Sequence, residues 1–391
     1  MNSKLSIPTW PIFNEKEEQA LKEVLYSGSW WRNAGCQVKA FEEEFAKYQG
    51  CTSGISASNG TVAIEIALKA LGIGEGDEVI VPDFTFYSTV SAVLAVKAIP
   101  VIVDVNEETF CLDAERIKQA ITDKTKAIIP VHMAGNISDM DDIIEVSSKY
   151  DIAVIEDCSH AHGAKWKGRD AGSFGTLGTF SFQNAKLMTS GEGGMILTND
   201  VTMKNRLTLE TNCGRAENDT NYQHVLIGTN ARLSEFQGAV LRVQLKRLDE
   251  QIAIREKNYQ YLFEGLNEIE GIQMQKISPD MSVNPHYMIM FYYDKAKFNG
   301  AERSEFVAYL KSNGIPCNRS YECIHKLPVF KLLPENSWRI AANETINGER
   351  HCKNSERISD EVVCLNHNIL LGDKKLIEQI VEIIKDFKCS R

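Results

Sequence analysis

Between about residue 50 and residue 200, short uninterrupted apolar runs alternate with stretches whose apolar positions recur every three or four residues. The runs fall at 78–81, 100–103, 127–131, 153–155, 179–182 and 195–197, and the helical patterns between them at 61–71, 114–121 and 141–149. Runs without polar alternation predict strands covered on both faces, and the intervening helices predict a largely parallel sheet. Such sheets take their ligands at the carboxyl ends of the strands. Ser234-Glu235-Phe236-Gln237 has the form of a capping box and predicts one long helix running to about residue 263, of a length that bridges two domains. After residue 270 the pattern changes: a strand at 287–293, a helix at 303–312 and a terminal helix at 374–387 predict a smaller α+β unit. The expected division is a large domain with an N-terminal arm at 1–265 and a small C-terminal domain at 266–391. The polar stretch 217–222 is expected to stay disordered until assembly.

Bulk properties narrow the function class. The chain has 391 residues, 43% hydrophobic and 25% charged, ordinary for a globular enzyme. A formal net charge of −10 argues against nucleic acid or an anionic membrane as a partner. No apolar run reaches the ~18 residues of a membrane span, and residues 1–14 lack the apolar segment of a signal peptide. Ten cysteines without paired spacing read as reduced thiols, and the expected location is the cytoplasm.

The chemistry concentrates at strand ends. The run at 153–155 ends in Glu156-Asp157-Cys158-Ser159-His160-Ala161-His162, and the run at 179–182 is followed by Lys186 and then by Gly191-Glu192-Gly193-Gly194. A lysine in a partly desolvated site loses its proton readily and attacks an aldehyde. A carboxylate on a buried strand end can hold a proton on a pyridine nitrogen, and the pair is what pyridoxal phosphate requires. An ordinary surface lysine and a helix-capping aspartate are the plainer alternatives. Asp157, His160 and His162 also read as metal ligands, but no further acid or cysteine converges with them, and no metal is expected. Ser58-Asn59-Gly60-Thr61 opens a helix, where free amides and the helix dipole cradle phosphate. Phe84-Thr85-Phe86 offers a ring that could stack on a cofactor or pack in the core.

Together these segments resemble the vitamin B6-dependent sugar aminotransferase family of the DegT/StrS type. The resemblance rests on Asn59-Gly60-Thr61, Val81-Pro82-x-Phe84-Thr85-Phe86, Val131-His132, Glu156-Asp157, Phe180-Ser181-Phe182-x3-Lys186, Gly191-Glu192-Gly193-Gly194 and Gly228-x-Asn230-x-Arg232, in that order along nearly the whole chain. It implies an α/β, fold-type I aminotransferase architecture. Lys186 becomes the lysine that joins the cofactor and Asp157 the partner of its ring nitrogen. Phe86 stacks on the ring, and Gly60, Thr61 and Ser181 hold the phosphate. Asn230 reaches that phosphate from a second subunit. His160 stands where most members have glutamine, beside the ring hydroxyl. That histidine, with Trp30-Trp31-Arg32, His132-Met133-Ala134-Gly135 and Asn212-Cys213-Gly214-Arg215, is similar to the branch holding 3-amino-5-hydroxybenzoate synthases and cyclitol aminotransferases.

The resemblance implies a homodimer with shared active sites. It would pass an amino group from glutamate or glutamine to a keto-sugar or keto-cyclitol in amino-sugar or antibiotic-type biosynthesis. Trp31, Arg32, Arg215 and His325 are the expected substrate contacts, and under the dehydration alternative the two arginines are candidates for meeting that substrate's carboxylate. The alternatives are a dehydration and aromatisation giving 3-amino-5-hydroxybenzoate, a cofactor-binding regulator without turnover, and a metal hydrolase.

Overall fold

The computed structural model describes residues 5–389 apart from 218, 335, 342–344 and 347–348. Seven strands come from the region of alternating runs: β1 (Ser53–Ala57), β2 (Glu78–Pro82), β3 (Ile99–Val103), β4 (Thr125–Ile128), β5 (Ala153–Asp157), β6 (Leu177–Ser181) and β7 (Gly194–Thr198). They lie side by side in the order β1-β7-β6-β5-β4-β2-β3, and the short strand Arg339–Ile340 extends the β3 edge. From β6 through β3 the pairing is parallel, whereas β7 runs antiparallel to both neighbours. The sheet is buried on both faces, as the run pattern demands. Ile80, Val101, Ile128 and Val154 point into one apolar cluster, and Val79, Val81, Ile102, Ala127 and Ile155 point into the other.

The connections place several helix N-termini at the carboxyl edge of this sheet. The helix Gly60–Ala70 follows β1 and is capped by Asn59, whose side chain accepts the Val62 N–H at 2.9 Å. The helix Ser88–Ala95 follows β2 in the same sense. The crossing helix departs from expectation. The Ser234/Gln237 capping box is present, but the helical path breaks at Lys246–Arg247 into Glu235–Leu245 and Leu248–Asn267. At the break the Arg247 guanidinium turns back to the N-terminal arm, 2.7 Å from Glu17 and 3.0 Å from the Ile12 carbonyl. Gln244 makes the same two contacts, so the break anchors the arm.

A second sheet, antiparallel, orders β8 (Ile272–Met274), β9 (Met288–Tyr293), β11 (Val362–Asn366) and β10 (Cys317–Arg319) as β8-β9-β11-β10. Its core takes in the helices Arg303–Ser312 and Lys374–Cys389. Leu248 and Ile252 of the crossing helix belong to the first core, and Tyr259, Leu262 and Leu266 to the second. Leu5 and Ile7 also pack on the second core, while Arg339–Ile340 returns to the first sheet, so each core draws on both halves of the chain. The stretch 217–222, expected to be disordered, has local structure where it is described: Arg215 pairs with Asp219 at 3.0 Å and lies 4.0 Å from the centre of the Tyr222 ring. Residue 218 lies outside the described residues. No described helix is long and apolar enough to cross a membrane.

Candidate active site

The carboxyl ends of β1, β2, β5 and β6 surround a cavity of about 590 Å³ lined by Gly60, Thr61, Phe86, Asp157, His160, Ser181 and Lys186, among others. Sheet topology brings these residues together from positions more than a hundred apart in sequence. Asp157 ends β5 and is 5% exposed. Its Oδ2 accepts from Thr89 Oγ1 at 2.9 Å and its Oδ1 from the Ser159 N–H at 3.1 Å. No arginine, lysine or histidine forms an ion pair with it among the described residues. Two neutral donors leave a buried carboxylate short of the compensation that burial requires.

Lys186 sits on the loop after β6, its amine 4.7 Å from the centre of the Tyr287 ring and without an ion pair among the described residues. Burial pulls its pKa down to about 8, against an opposing pull from the Asp157 charge. The amine is therefore partly neutral near physiological pH. His160 is buried, stacked on Tyr287 at 4.3 Å, and its Nδ1 has no hydrogen-bond partner. Burial first, and the Lys186 charge second, hold it well below the ordinary histidine range, so the ring is neutral. His162, two residues on, faces the other way and donates from Nε2 to the Ser181 carbonyl at 2.9 Å; burial drops its pKa to about 3. The three ligand atoms of Asp157, His160 and His162 do not converge. The convergent sets among the described residues are Asp83/His325/Cys352 and His132/Glu156/Cys158.

At the far end, the first amides of the helix Gly60–Ala70 have no intrahelical acceptor, and the Oγ atoms of Thr61 and Ser88 meet at 2.6 Å. A Cβ at Gly60 would stand 2.7 Å from Ser181 Cβ, so only glycine lets helix and strand close into this cradle. Phe86 is 54% exposed inside the cavity, an aromatic face left bare. A pyridoxal phosphate fits this set: a phosphate at the cradle, a ring against Phe86, its nitrogen at the uncompensated Asp157, and an aldehyde toward the unpaired amine.

Other expected contacts lie elsewhere. Arg32 is paired with Glu42 at 2.8 Å, both side chains nearly buried, and Glu42 also accepts from the Ser56 N–H and hydroxyl. Arg215 is paired with Asp219. His325 Nδ1 is 2.7 Å from the buried Asp83; burial lowers its pKa, but the Asp83 contact outweighs this and the net shift is upward. Trp31 is half exposed, beside Arg232, and Asn230 is exposed outside the cavity of its own chain. The sequence reading missed Thr85, Ser88 and Thr89. Their signal was the helical spacing of the three hydroxyls, at i, i+3 and i+4. It also missed the work of Glu156, which accepts from His132 Nε2 and from the amides of Gly172, Phe174 and Gly175.

Fold and site define the class as a fold-type I, pyridoxal-phosphate-dependent aminotransferase. Residues 11–385 match the DegT/DnrJ/EryC1/StrS aminotransferase family, and the chain belongs to it. It is 39% identical over 383 residues to a 3-amino-5-hydroxybenzoate synthase of Amycolatopsis mediterranei, covering 97% of this chain and 96% of that one. It is 34% identical over 397 residues to an L-glutamine:2-deoxy-scyllo-inosose aminotransferase of Streptoalloteichus tenebrarius, covering 96% and 93%. The crystal structure of a 3-amino-5-hydroxybenzoic acid synthase superposes with a TM-score of 0.92 over 100% of both chains at 37% identity.

Proposed function

We propose that this enzyme moves an amino group from glutamine or glutamate to the ketone of a cyclitol or sugar, with pyridoxal phosphate held by Gly60, Thr61, Ser181, Phe86, His160, Asp157 and Lys186. The observation that carries the reading is the pairing, in one cavity, of an uncompensated buried carboxylate with an unpaired amine. The cofactor supplies a carbonyl to which amines add and a protonated ring that accepts the electron pair released at the substrate's Cα. Asp157, oriented by Thr89 and Ser159, holds the proton on the ring nitrogen. Lys186 Nζ takes the proton from Cα of the donor and returns one to the acceptor carbon, acting as base and then acid. His160 Nδ1 is free to bond the ring hydroxyl, and Phe86 keeps water from one face. The donor's oxo-acid leaves before the acceptor enters, which predicts ping-pong kinetics.

The working unit is a homodimer in the cytoplasm, with Asn230 completing the partner's phosphate cradle. Supporting this, Asn230 follows a loop whose Tyr222, Val225 and Ile227 are 70%, 67% and 99% exposed, an apolar surface that calls for cover. A second reading, dehydration and aromatisation to 3-amino-5-hydroxybenzoate, is favoured by the 39% relative. Purified protein given a keto-cyclitol with glutamine, and separately aminodehydroshikimate, decides between them by product mass. Amine transfer to the ketone is the expected outcome.

A further inference from the structure

Ala185, Tyr287 and Tyr321 are walls of two cavities at once. Beyond them lies a second chamber of about 500 Å³, lined also by Arg319, Asn318, Asn366, Asn368, His367 and Trp10. Among the described residues no aspartate or glutamate lines it, although the chain carries a net charge of −10. Arg319, at the end of β10 and two residues before Tyr321, forms no ion pair among the described residues.

A second cation stands behind the same wall. Arg255, on the crossing helix, is 0% exposed, its guanidinium 5.4 Å from the Trp10 ring centre and its Nη2 3.3 Å from His367 Nδ1. Its Nε and Nη1 have no hydrogen-bond partner. His367 in turn lies 3.2 Å from the Ala185 carbonyl through Nε2, next to Lys186. A buried guanidinium without an anion is strongly unfavourable, and it adds positive potential to a chamber that already exposes a free arginine. Arg32 and Arg215, the arginines singled out from the sequence, are already bound to Glu42 and Asp219.

We propose that this chamber is a carboxylate subsite, in which Arg319 and the side-chain amides of Asn318 and Asn366 grip a carboxylate of a molecule whose reacting carbon lies at Lys186. The proposal rests on the aminotransferase reading for the reacting end. The carboxylate comes either from the amino donor or from a ring-borne acid on the acceptor. Unreactive probes separate the sources: glutarate mimics the donor, shikimate a carboxylated ring, and methyl shikimate the same ring without the charge. Calorimetric titration of the cofactor-loaded protein with each probe is compared among wild type, Arg319→Gln and Arg319→Lys, after thermal melts verify that the variants fold. Glutarate or shikimate should bind wild type and lose about 10- to 100-fold in Arg319→Gln, the scale of a charge-assisted hydrogen bond. Arg319→Lys should recover part of that loss, and methyl shikimate should not respond to either change. Whichever acid responds identifies the source. Equal affinity in wild type and Arg319→Gln, or no binding of either acid to wild type, overturns the proposal. Loss of the cofactor's visible band on adding glutamine to wild type tests the aminotransferase reading separately, so either idea can fail alone.

Discussion

Glu156 and Asp157 are neighbours on one strand, both buried, and they are treated in opposite ways. Glu156 receives four donors: His132 Nε2 at 3.0 Å and the amides of Gly172, Phe174 and Gly175 at 2.7–2.8 Å. Its partner His132 accepts the Ser138 N–H at Nδ1, which leaves Nε2 to donate to Glu156. Everything on that face is satisfied, and the result is a fixed joint between β5, the 132–138 turn and the 172–175 loop. Asp157, on the opposite face, has two donors and no cation among the described residues. The contrast separates scaffold from chemistry: a buried anion with all its partners holds a fold, and one left short awaits a ligand.

The harshest test removes the other half of the active pair. Lys186→Ala should abolish fixation of the cofactor to the protein by borohydride, read by intact mass. It should also cut turnover by at least about 10³-fold, because the proton carrier is gone. Next come the two carboxylates, exchanged one at a time. Asp157→Asn should still take up cofactor and melt near wild type, but lose about 10²-fold or more in kcat. Glu156→Gln should do the reverse. It loses about 1–3 kcal/mol in denaturant unfolding, since an amide nitrogen must now face buried N–H donors, and it keeps most of its kcat. If the two variants behave alike, the contrast between them has no mechanistic content.

The sheet, its parallel sense and the strand-end motifs were legible because they are written in short-range patterns: unbroken apolar runs, Asn59 before a helix, a lysine between a strand and glycines. The capping box at Ser234 was legible for the same reason. The break at Lys246–Arg247 was not, because it depends on Glu17 and the Ile12 carbonyl, more than two hundred residues away. Arg32 and Arg215 looked like free cations because sequence shows a charge without its partner. Glu42 and Asp219 become partners only in the fold. Thr89 was passed over although its spacing from Thr85 and Ser88 carried a signal, and Arg319 because nothing local marks a cation as facing a cavity.

Acidity offers a milder way to sharpen the picture. Burial lowers the Lys186 pKa from 10.5 to about 8, so the folded protein releases this proton before the unfolded chain does. Capture of added pyridoxal phosphate by cofactor-free protein, followed by absorbance, should accelerate about tenfold per pH unit below about 8 and level off above it. For stability the sign is the opposite of a salt-bridged lysine. Between about pH 8 and 10.5 the unfolded state holds more protons, so the lysine's destabilising contribution, fully present below pH 8, fades as pH rises through that window. Lys186→Met should remove this rise from the pH dependence of unfolding.

The smallest effect belongs to the donor that feeds the deficient carboxylate. Thr89 Oγ1 gives Asp157 one of its two hydrogen bonds and is itself 3.0 Å from Thr85 Oγ1. Thr89→Val keeps the shape and removes the donor, leaving Asp157 with the Ser159 amide alone. A carboxylate that loses a donor is aimed less firmly, and Asp157 then holds the ring nitrogen less well. Turnover at neutral pH should therefore fall about five-fold, the worth of one ordinary hydrogen bond at about 1 kcal/mol. Melting should fall as well, because Thr85 Oγ1 and Asp157 Oδ2 both lose their Thr89 partner in a buried setting. A lowered melting temperature with unchanged kcat would place Thr89 with Glu156, among the groups that only hold the fold.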